Sequence, residues 1–495
     1  MAHAKRLFFI GIDGMNWPMS SHFIAEGEMP RLKALRERGA STEIFPCFPA
    51  YTPTNWATLC TGAYPGTHGE PGWTVTMPDG REVSSFTSCA LNAETIWEAA
   101  ERAGHRICLF NYPASMPLPL KNGCAVDNSF GNPLHPQYST PERLAEPPEM
   151  GRELVERFGP YPLSFEASDL DAWTRRAQWI AEAGRFLMEQ HGYTFFYCHF
   201  HIIDHLLHLH LAGADPASPA YVEAEAAAHM EVLRSGHRIV DGLIETLTRD
   251  AKDTDLIVVV SDHGNSPNQR MVDVNRWLVE KGYLVLKDRA QAAVEKDPAL
   301  DRNPAISFDA IDWDKTTAFR KPGLGLDLTV NASGEEYERI RNRLVRDLRT
   351  WVDDETGRTV MAVVLKREDA YPLGFWGPDV GDVAVVYEKG YAWTTLPDGT
   401  ALAPGSGANH GPQFPTAHTD FASVLAFITA AGPGVKPGYL RDPAHLGHAH
   451  MTDVVPTLCR LLGFDPPAHA QGAILRDFLN GVDASPRRPA TTPRL

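Results

Sequence analysis

An α/β fold built on a mostly parallel central sheet, with a further region inserted late in the chain, is what this sequence predicts. Three observations carry that prediction. Continuous apolar runs at Leu7–Ile12, Thr194–Phe200 and Leu256–Val260 read as strands buried on both faces. Helical patterns alternate with them, as a parallel sheet requires. Each run is also followed by polar residues able to do chemistry: Asp13, then the pair Asp204 and His208, then Asp262-His263-Gly264.

The elements follow in order. Ser20 to Arg38 carries one helical pattern closed by Gly39. Cys47–Gly69 (CFPAYTPTNWATLCTGAYPGTHG) sets two hydroxyls, Thr52 and Thr54, beside stiffening prolines. A helix then opens near Asn55, and its N-terminus would offer unpaired N–H groups to an anion. A helix over Ala93–Ala103 and a strand over Arg106–Phe110 come next, followed by a Pro/Gly-rich surface excursion over 111–162. Leu170–Gln190 and Pro219–Thr248 are long helices, and Val272–Lys281 with Tyr283–Leu286 continues the helix–strand alternation. Residues 1–287 and 404–482 therefore form one domain, with a strand over Phe421–Ala430 and a helix over Asp453–Leu462 near its end. Residues 288–403 form an inserted cap with a charged helix at Glu335–Val352, and 483–495 a flexible Pro/Arg-rich tail.

Composition excludes several classes. A net charge of −16 argues against a binder of long nucleic acid. Seven cysteines without a CxxC pair exclude a zinc ribbon or a disulfide framework and fit a reducing, cytoplasmic setting. No stretch approaches the ~18 consecutive apolar residues of a membrane span. The basic start is followed by too few apolar residues for a signal peptide.

Carboxylates and neutral imidazoles at strand ends are ligands for zinc and similar divalent ions. Asp204 and His208, four residues apart, share one helical face. Asp262 and His263 end a valine run, where buried polar groups need partners. Two ions about 4 Å apart could steady both oxygens of an in-line phosphoryl displacement and activate a threonine hydroxyl.

Taken together, Asp13, a threonine in a Pro-rich loop before TGAYPGTHG, DxxxH, VVSDHG and a late HG resemble the alkaline phosphatase superfamily, in its type I phosphodiesterase and nucleotide pyrophosphatase branch. AGPGVKPG and DVVPTLCRLLGFDPP are similar to that family's closing strand and helix. The resemblance implies an alkaline-phosphatase-like three-layer sandwich and a metal-dependent hydrolase of phosphoric esters, specifically a phosphodiesterase or pyrophosphatase. Its cofactors would be two divalent ions, zinc or alternatively manganese, and its substrate a small phosphorylated molecule. Asp13, Asp262 and His263 would hold one ion with Thr52 as bridging nucleophile; Asp204, His208 and His410 would hold the other. His418 is the alternative to His410, and Thr54 the rival nucleophile. Two departures from the family pattern stand out. Pro53 removes a backbone donor beside the nucleophile, and Trp73 stands near where relatives carry a phosphate-binding asparagine, which leaves Asn55 as the nearest substrate contact. A sensor of phosphorylated ligands, a phosphomonoesterase and a phosphonate ester hydrolase are the alternatives on the same fold. Sulfatase chemistry is excluded because Tyr51 replaces the arginine of a CxPxR motif.

Overall fold

The computed structural model describes residues 3–77, 79–127, 143–163, 165–287, 294–297, 302–306, 310–320, 327–396 and 399–481. The strand Arg6–Ile12 lies at the centre, flanked in parallel by Phe195–Phe200 and Asp255–Val260. Gly11 pairs with His199 on one side and Val260 on the other, so three carboxyl ends finish side by side. Beyond Phe195–Phe200 come Ile107–Phe110, Cys124–Val126 and Ala145–Glu146. Beyond Asp255–Val260 come Ala426–Ala431, Ala40–Phe45 and Tyr439–Leu440, with Ala449–His450 also paired to Ala40–Phe45. Ala426–Ala431 runs antiparallel to both neighbours, and Ala145–Glu146 antiparallel to its one. Most remaining pairings are parallel.

Alternation along the central strand sends its side chains to opposite faces. Phe8, Ile10 and Ile12 pack under the helices Trp17–Ala25, Pro30–Arg38, Leu170–Gln190, Ile202–Ala214 and Glu223–Leu247. Leu7 and Phe9 pack under Thr52–Thr61, Ile96–Arg102 and Val454–Leu462. The result is the three-layer sandwich.

Three elements differ from the sequence reading. The single helix expected over Ser20–Arg38 is two, because Pro30 opens a second helix and cannot continue the first. The expected surface excursion over 111–162 contributes the last two strands at one side of the sheet, of three and two residues, too short for periodicity to reveal. Tyr283–Leu286 is not a strand of the central sheet. Tyr283 and Leu284 are buried in a second core with the helices Val274–Glu280 and Gly334–Arg349, where Trp277 stacks on Trp351 at 4.9 Å. That core therefore begins ahead of residue 288. It is roofed by an antiparallel sheet of Ala318–Phe319, Asp327–Val330, Val383–Tyr387 and Met361–Lys366, in that spatial order. The tail at 483–495 lies outside the described residues. No described helix is long and apolar enough to cross a membrane.

The second core touches the Thr52 loop. Phe48 and Tyr51 share a small apolar cluster with Ala370, Phe375, Val380, Ala384 and Val386. The Gly66 N–H donates to the Gly374 carbonyl at 3.0 Å.

Gly11 shows how closely the Thr52 helix sits on the central strand. A Cβ there would lie 2.4 Å from Cη2 of Trp56 and 2.8 Å from the Cys198 carbonyl. Gly11→Ala is expected to cost about 1–3 kcal/mol through overpacking, read as a lower urea midpoint at unchanged slope. Unaltered stability would mean the layers are looser than these contacts indicate.

Candidate active site

The carboxyl ends of the three central strands and the start of the helix Thr52–Thr61 meet at one place, as open α/β sheets favour. Asp13 follows the first strand and is fully buried. The Asp13-Gly14 turn lets the next helix come close: Gly14 has φ +70°, a Cβ on it would meet Cα of Asp204 at 2.7 Å, and the Asp204 N–H donates to the Asp13 carbonyl at 3.1 Å. Asp204 and His208 project from the first turns of Ile202–Ala214, where Nε2 of His208 is 3.3 Å from Oδ1 of Asp204. Asp262 and His263 follow Asp255–Val260, fully buried, with His263 Nε2 3.0 Å from Asp262 Oδ2 and 3.6 Å from Asp13 Oδ1. His410 arrives from the far end of the chain, its ring stacked on His263 at 3.7 Å and its Nε2 3.8 Å from Asp204 Oδ1. Thr52 Oγ1 lies 3.2 Å from His263 Nε2.

The imidazole tautomers follow from their backbone partners. Nδ1 of His208 faces the Ala408 carbonyl at 2.8 Å, Nδ1 of His263 that of Gly264 at 3.1 Å, and Nδ1 of His410 that of Ala50 at 2.6 Å. A carbonyl can only accept, so each ring donates from Nδ1 and, in its neutral form, turns the lone pair of Nε2 toward the carboxylates. Oδ1 of Asp13 and Oδ2 of Asp262 are buried without a hydrogen-bond partner among the described residues. Unpaired carboxylate oxygens and converging imidazole lone pairs form a donor set suited to divalent ions. Three groups among the described residues lie close enough to hold an ion: Asp13 with Asp262 and His263, Asp204 with His263 and His410, and Asp13 with His199 and His201.

The electrostatics agree. Burial, and then the Asp262 carboxylate, push Asp13 up to about 7. Burial would raise Asp204 too, but His208, His201 and His410 outweigh it and hold the carboxyl well below its usual range. Burial would lower His263, yet Asp262, Asp13 and Asp204 together lift it to about 9. Burial and the neighbouring His263 ring push His410 far down. Carboxylates crowded out of water want positive charge, and histidines alone share it unevenly.

The structure brings together Asp13, Thr52, Asp204, His208, Asp262, His263 and His410. Asn55 is the exception. Its Oδ1 accepts from the Cys47 N–H at 2.7 Å, and its Nδ2 donates to the carbonyls of Pro49 at 3.0 Å and Tyr51 at 3.1 Å. Both amide protons are spent on stapling the loop, which removes Asn55 as a substrate contact. Thr54 is fully buried, and His418 is exposed with Nδ1 3.2 Å from the Thr416 carbonyl. Trp73 packs edge-to-face on Phe86 at 5.5 Å.

Four residues escaped the sequence reading. His199 Nε2 lies 2.7 Å from Asp13 Oδ2, and Trp56 Nε1 donates to the same oxygen at 3.0 Å. His201 Nε2 is 3.1 Å from Asp204 Oδ2. Asn265 Nδ2 donates to Asp204 Oδ1 at 3.2 Å. The available signal for His199 was a lone histidine inside an otherwise apolar strand, which must find a buried partner.

The fold is shared with solved structures at low identity. Phosphonoacetate hydrolase from Sinorhizobium meliloti 1021, in complex with phosphonoformate, superposes with a TM-score of 0.57 at 16% identity, over 93% of this chain and 95% of that one. Murine ectonucleotide pyrophosphatase/phosphodiesterase 5 gives 0.56 at 16%, over 96% and 100%. The alkaline phosphatase PafA gives 0.58 at 13%, over 97% and 99%. Comparison with curated protein sequences returns no significant match. The sequence model of the type I phosphodiesterase/nucleotide pyrophosphatase family matches residues 7–413. With that match spanning most of its length and the expected residues gathered at one strand edge, the chain belongs to the type I phosphodiesterase/nucleotide pyrophosphatase family.

Proposed function

We propose that the protein is a metal-dependent phosphodiesterase or pyrophosphatase that cleaves small phosphoric esters through Thr52. The observation that carries this reading is Thr52 Oγ1 at 3.2 Å from His263 Nε2, on the rim of three buried aspartates and three histidines. The family match and the phosphoester and phosphonate hydrolases of the same fold support it. A further neighbour, a threonine-to-alanine variant of the murine phosphodiesterase described as inactive and in complex with AMP, supports a threonine in this role.

The donor set fits two divalent ions. Asp13, Asp262 and His263, with Thr52 beside them, would hold one; Asp204, His208 and His410 would hold the other. When bound, such ions supply Lewis acidity, which lowers the pKa of a nearby hydroxyl and offsets phosphate charge. The nitrogen and oxygen donors of these residues would suit zinc, with manganese as the alternative.

The chain supplies the rest. Thr52 starts its helix, so its hydroxyl sits among the first-turn N–H groups at the positive end of the dipole. Its Oγ1 gives up its proton to water and attacks phosphorus, an Oγ1–P bond forms, and the ester oxygen leaves on the opposite side with the electron pair of the broken bond and takes up a proton from water. Water then cleaves the phosphothreonine and restores the hydroxyl. Pro53 occupies the first turn, where its missing N–H costs the helix nothing. The apolar contact of Phe48 and Tyr51 with Phe375 and Val380 places the second core over the nucleophile loop, which makes that region the reading's choice for substrate selection.

Thr52→Ala is expected to lower hydrolysis of bis-p-nitrophenyl phosphate by roughly 10³-fold or more while retaining bound metal. Unchanged turnover would remove Thr52 from the nucleophile role. Elemental analysis should find two divalent ions per chain, with fewer in Asp262→Asn, and chelation should abolish turnover until metal is restored. Metal-loaded protein that binds phosphate esters without turning them over would point to a sensor, and faster cleavage of the monoester than of the diester to a phosphomonoesterase.

A further inference from the structure

The histidines around this site fall into two geometric classes. His208, His263 and His410 are anchored through Nδ1 to backbone carbonyls and present Nε2 as a lone pair. His199 and His201 do the reverse, turning Nε2 toward a carboxylate oxygen, which can only accept. Nδ1 of His201 is buried without a partner among the described residues, so the proton of its neutral ring belongs on Nε2; on Nδ1 it would be a buried, unused donor.

Their targets divide cleanly. Asp13 Oδ2 receives His199 at 2.7 Å and the Trp56 indole at 3.0 Å, while Asp13 Oδ1 is left without a hydrogen bond. Asp204 Oδ2 receives His201 at 3.1 Å, while Asp204 Oδ1 faces His208 at 3.3 Å and His410 at 3.8 Å and also accepts from Asn265 Nδ2 at 3.2 Å. Each carboxylate has one oxygen held from behind and the other turned toward the cluster. Both holding histidines come from one short segment, His199-Phe200-His201, at the end of the strand next to Asp13. Strand alternation puts His199 on the face of the Thr52 helix, its ring 4.7 Å from Trp56, whereas His201 stands at the cap of the helix that carries Asp204.

We propose that His199 and His201 are positioning residues, one for each proposed ion: His199, with Trp56, fixes the rotation of Asp13, and His201 fixes that of Asp204, so that each offers a single oxygen at a set angle. The proposal rests on the two-ion reading above. A carboxylate held this way has already given up the rotational freedom that ion binding would cost, and loss of such outer partners typically weakens metal affinity 10–100-fold. The chief rival is that the two rings, with Asp13, themselves ligate a third ion, since Asp13, His199 and His201 lie close enough to do so. The Trp56 N–H aimed at Asp13 Oδ2 argues for the hydrogen-bonding role, because that oxygen is already receiving a donor.

The test is titration of chelator-stripped, full-length protein with Co²⁺, followed by calorimetry and visible absorption. The parent should bind two ions. His199→Phe and His201→Phe should each weaken one binding step 10–100-fold at unchanged stoichiometry, and the double variant should weaken both. His199→Gln and His201→Gln, which keep an N–H near the position of Nε2, should recover most of the affinity; Trp56→Phe, which deletes the other donor to Asp13, should act like His199→Phe. Thermal unfolding of the metal-free variants checks that each is folded, and Trp56→Phe and His201→Ala, which also delete a donor to Asp13 and to Asp204, carry the test if a phenylalanine variant is not. Unchanged affinities overturn the proposal, as does a parent binding three ions that falls to two in His199→Phe, since the rings would then be ligands. A parent that binds no ion overturns the two-ion reading itself, a result distinct from either of these.

Discussion

The site depends on how Asp13 is held. It follows the central strand, is buried among other carboxylates, and has one oxygen locked by an indole and an imidazole while the other faces His263. Burying a carboxylate without compensation is among the costliest steps in folding. Here the hydrogen bonds on Oδ2 offset part of that cost, and the remaining demand for positive charge falls on the open side of the group. The architecture serves this arrangement. Parallel flanking strands bring His199 and Asp262 to the same edge, and Gly11 and Gly14 carry no side chain where Trp56 and Asp204 must approach.

The same demand explains the sequence of events along the chain. Residues 13, 52, 204, 262 and 410 are far apart, so no local contact assembles them; the sheet does. Once the three central strands pair, their ends define the positions of Asp13, His201 and Asp262, and packing of two helices on opposite faces delivers Thr52 and Asp204. His410 is tied by its Nδ1 to the Ala50 carbonyl of the nucleophile loop, which locks the late histidine to the early threonine.

Sequence alone made the ligand-type residues legible because each obeys a short-range rule. Asp13 and Asp262 end apolar runs, Asp204 and His208 are one helical turn apart, and His410 precedes a glycine. Roles set by contacts between distant segments were not legible. His199 and Asp13 are 186 residues apart, and Asn265 and Asp204 are 61 apart, so no spacing rule relates them. Asn55 misled for the opposite reason: an asparagine at a helix start looks available, and only the loop curling back over it shows its amide to be consumed. Tyr283–Leu286 misled because a four-residue apolar run has the same pattern as a strand and as a loop sunk in a second core. The strands Cys124–Val126 and Ala145–Glu146 were hidden by their brevity within a Pro-rich stretch.

The charge around the site also bears on which ester it would favour. The groups acting most strongly on Asp13, Asp204, His263 and His410 are one another, aspartates and histidines, with no lysine or arginine among them. Pro53 withholds one outward N–H from the turn that would face a phosphoryl group. A monoester at neutral pH brings close to two negative charges to that turn and a diester one. With positive charge supplied by the proposed ions and by few protein donors, the second charge of a monoester would stand largely uncompensated in a poorly solvated pocket, where unpaired charge is most costly. On the proposed reading, a diester, with one charge fewer, suits this donor set better than a monoester. Pro53, and the lack of a lysine or arginine among the groups acting most strongly on these four described residues, are the observations behind the diester preference of the proposed reading.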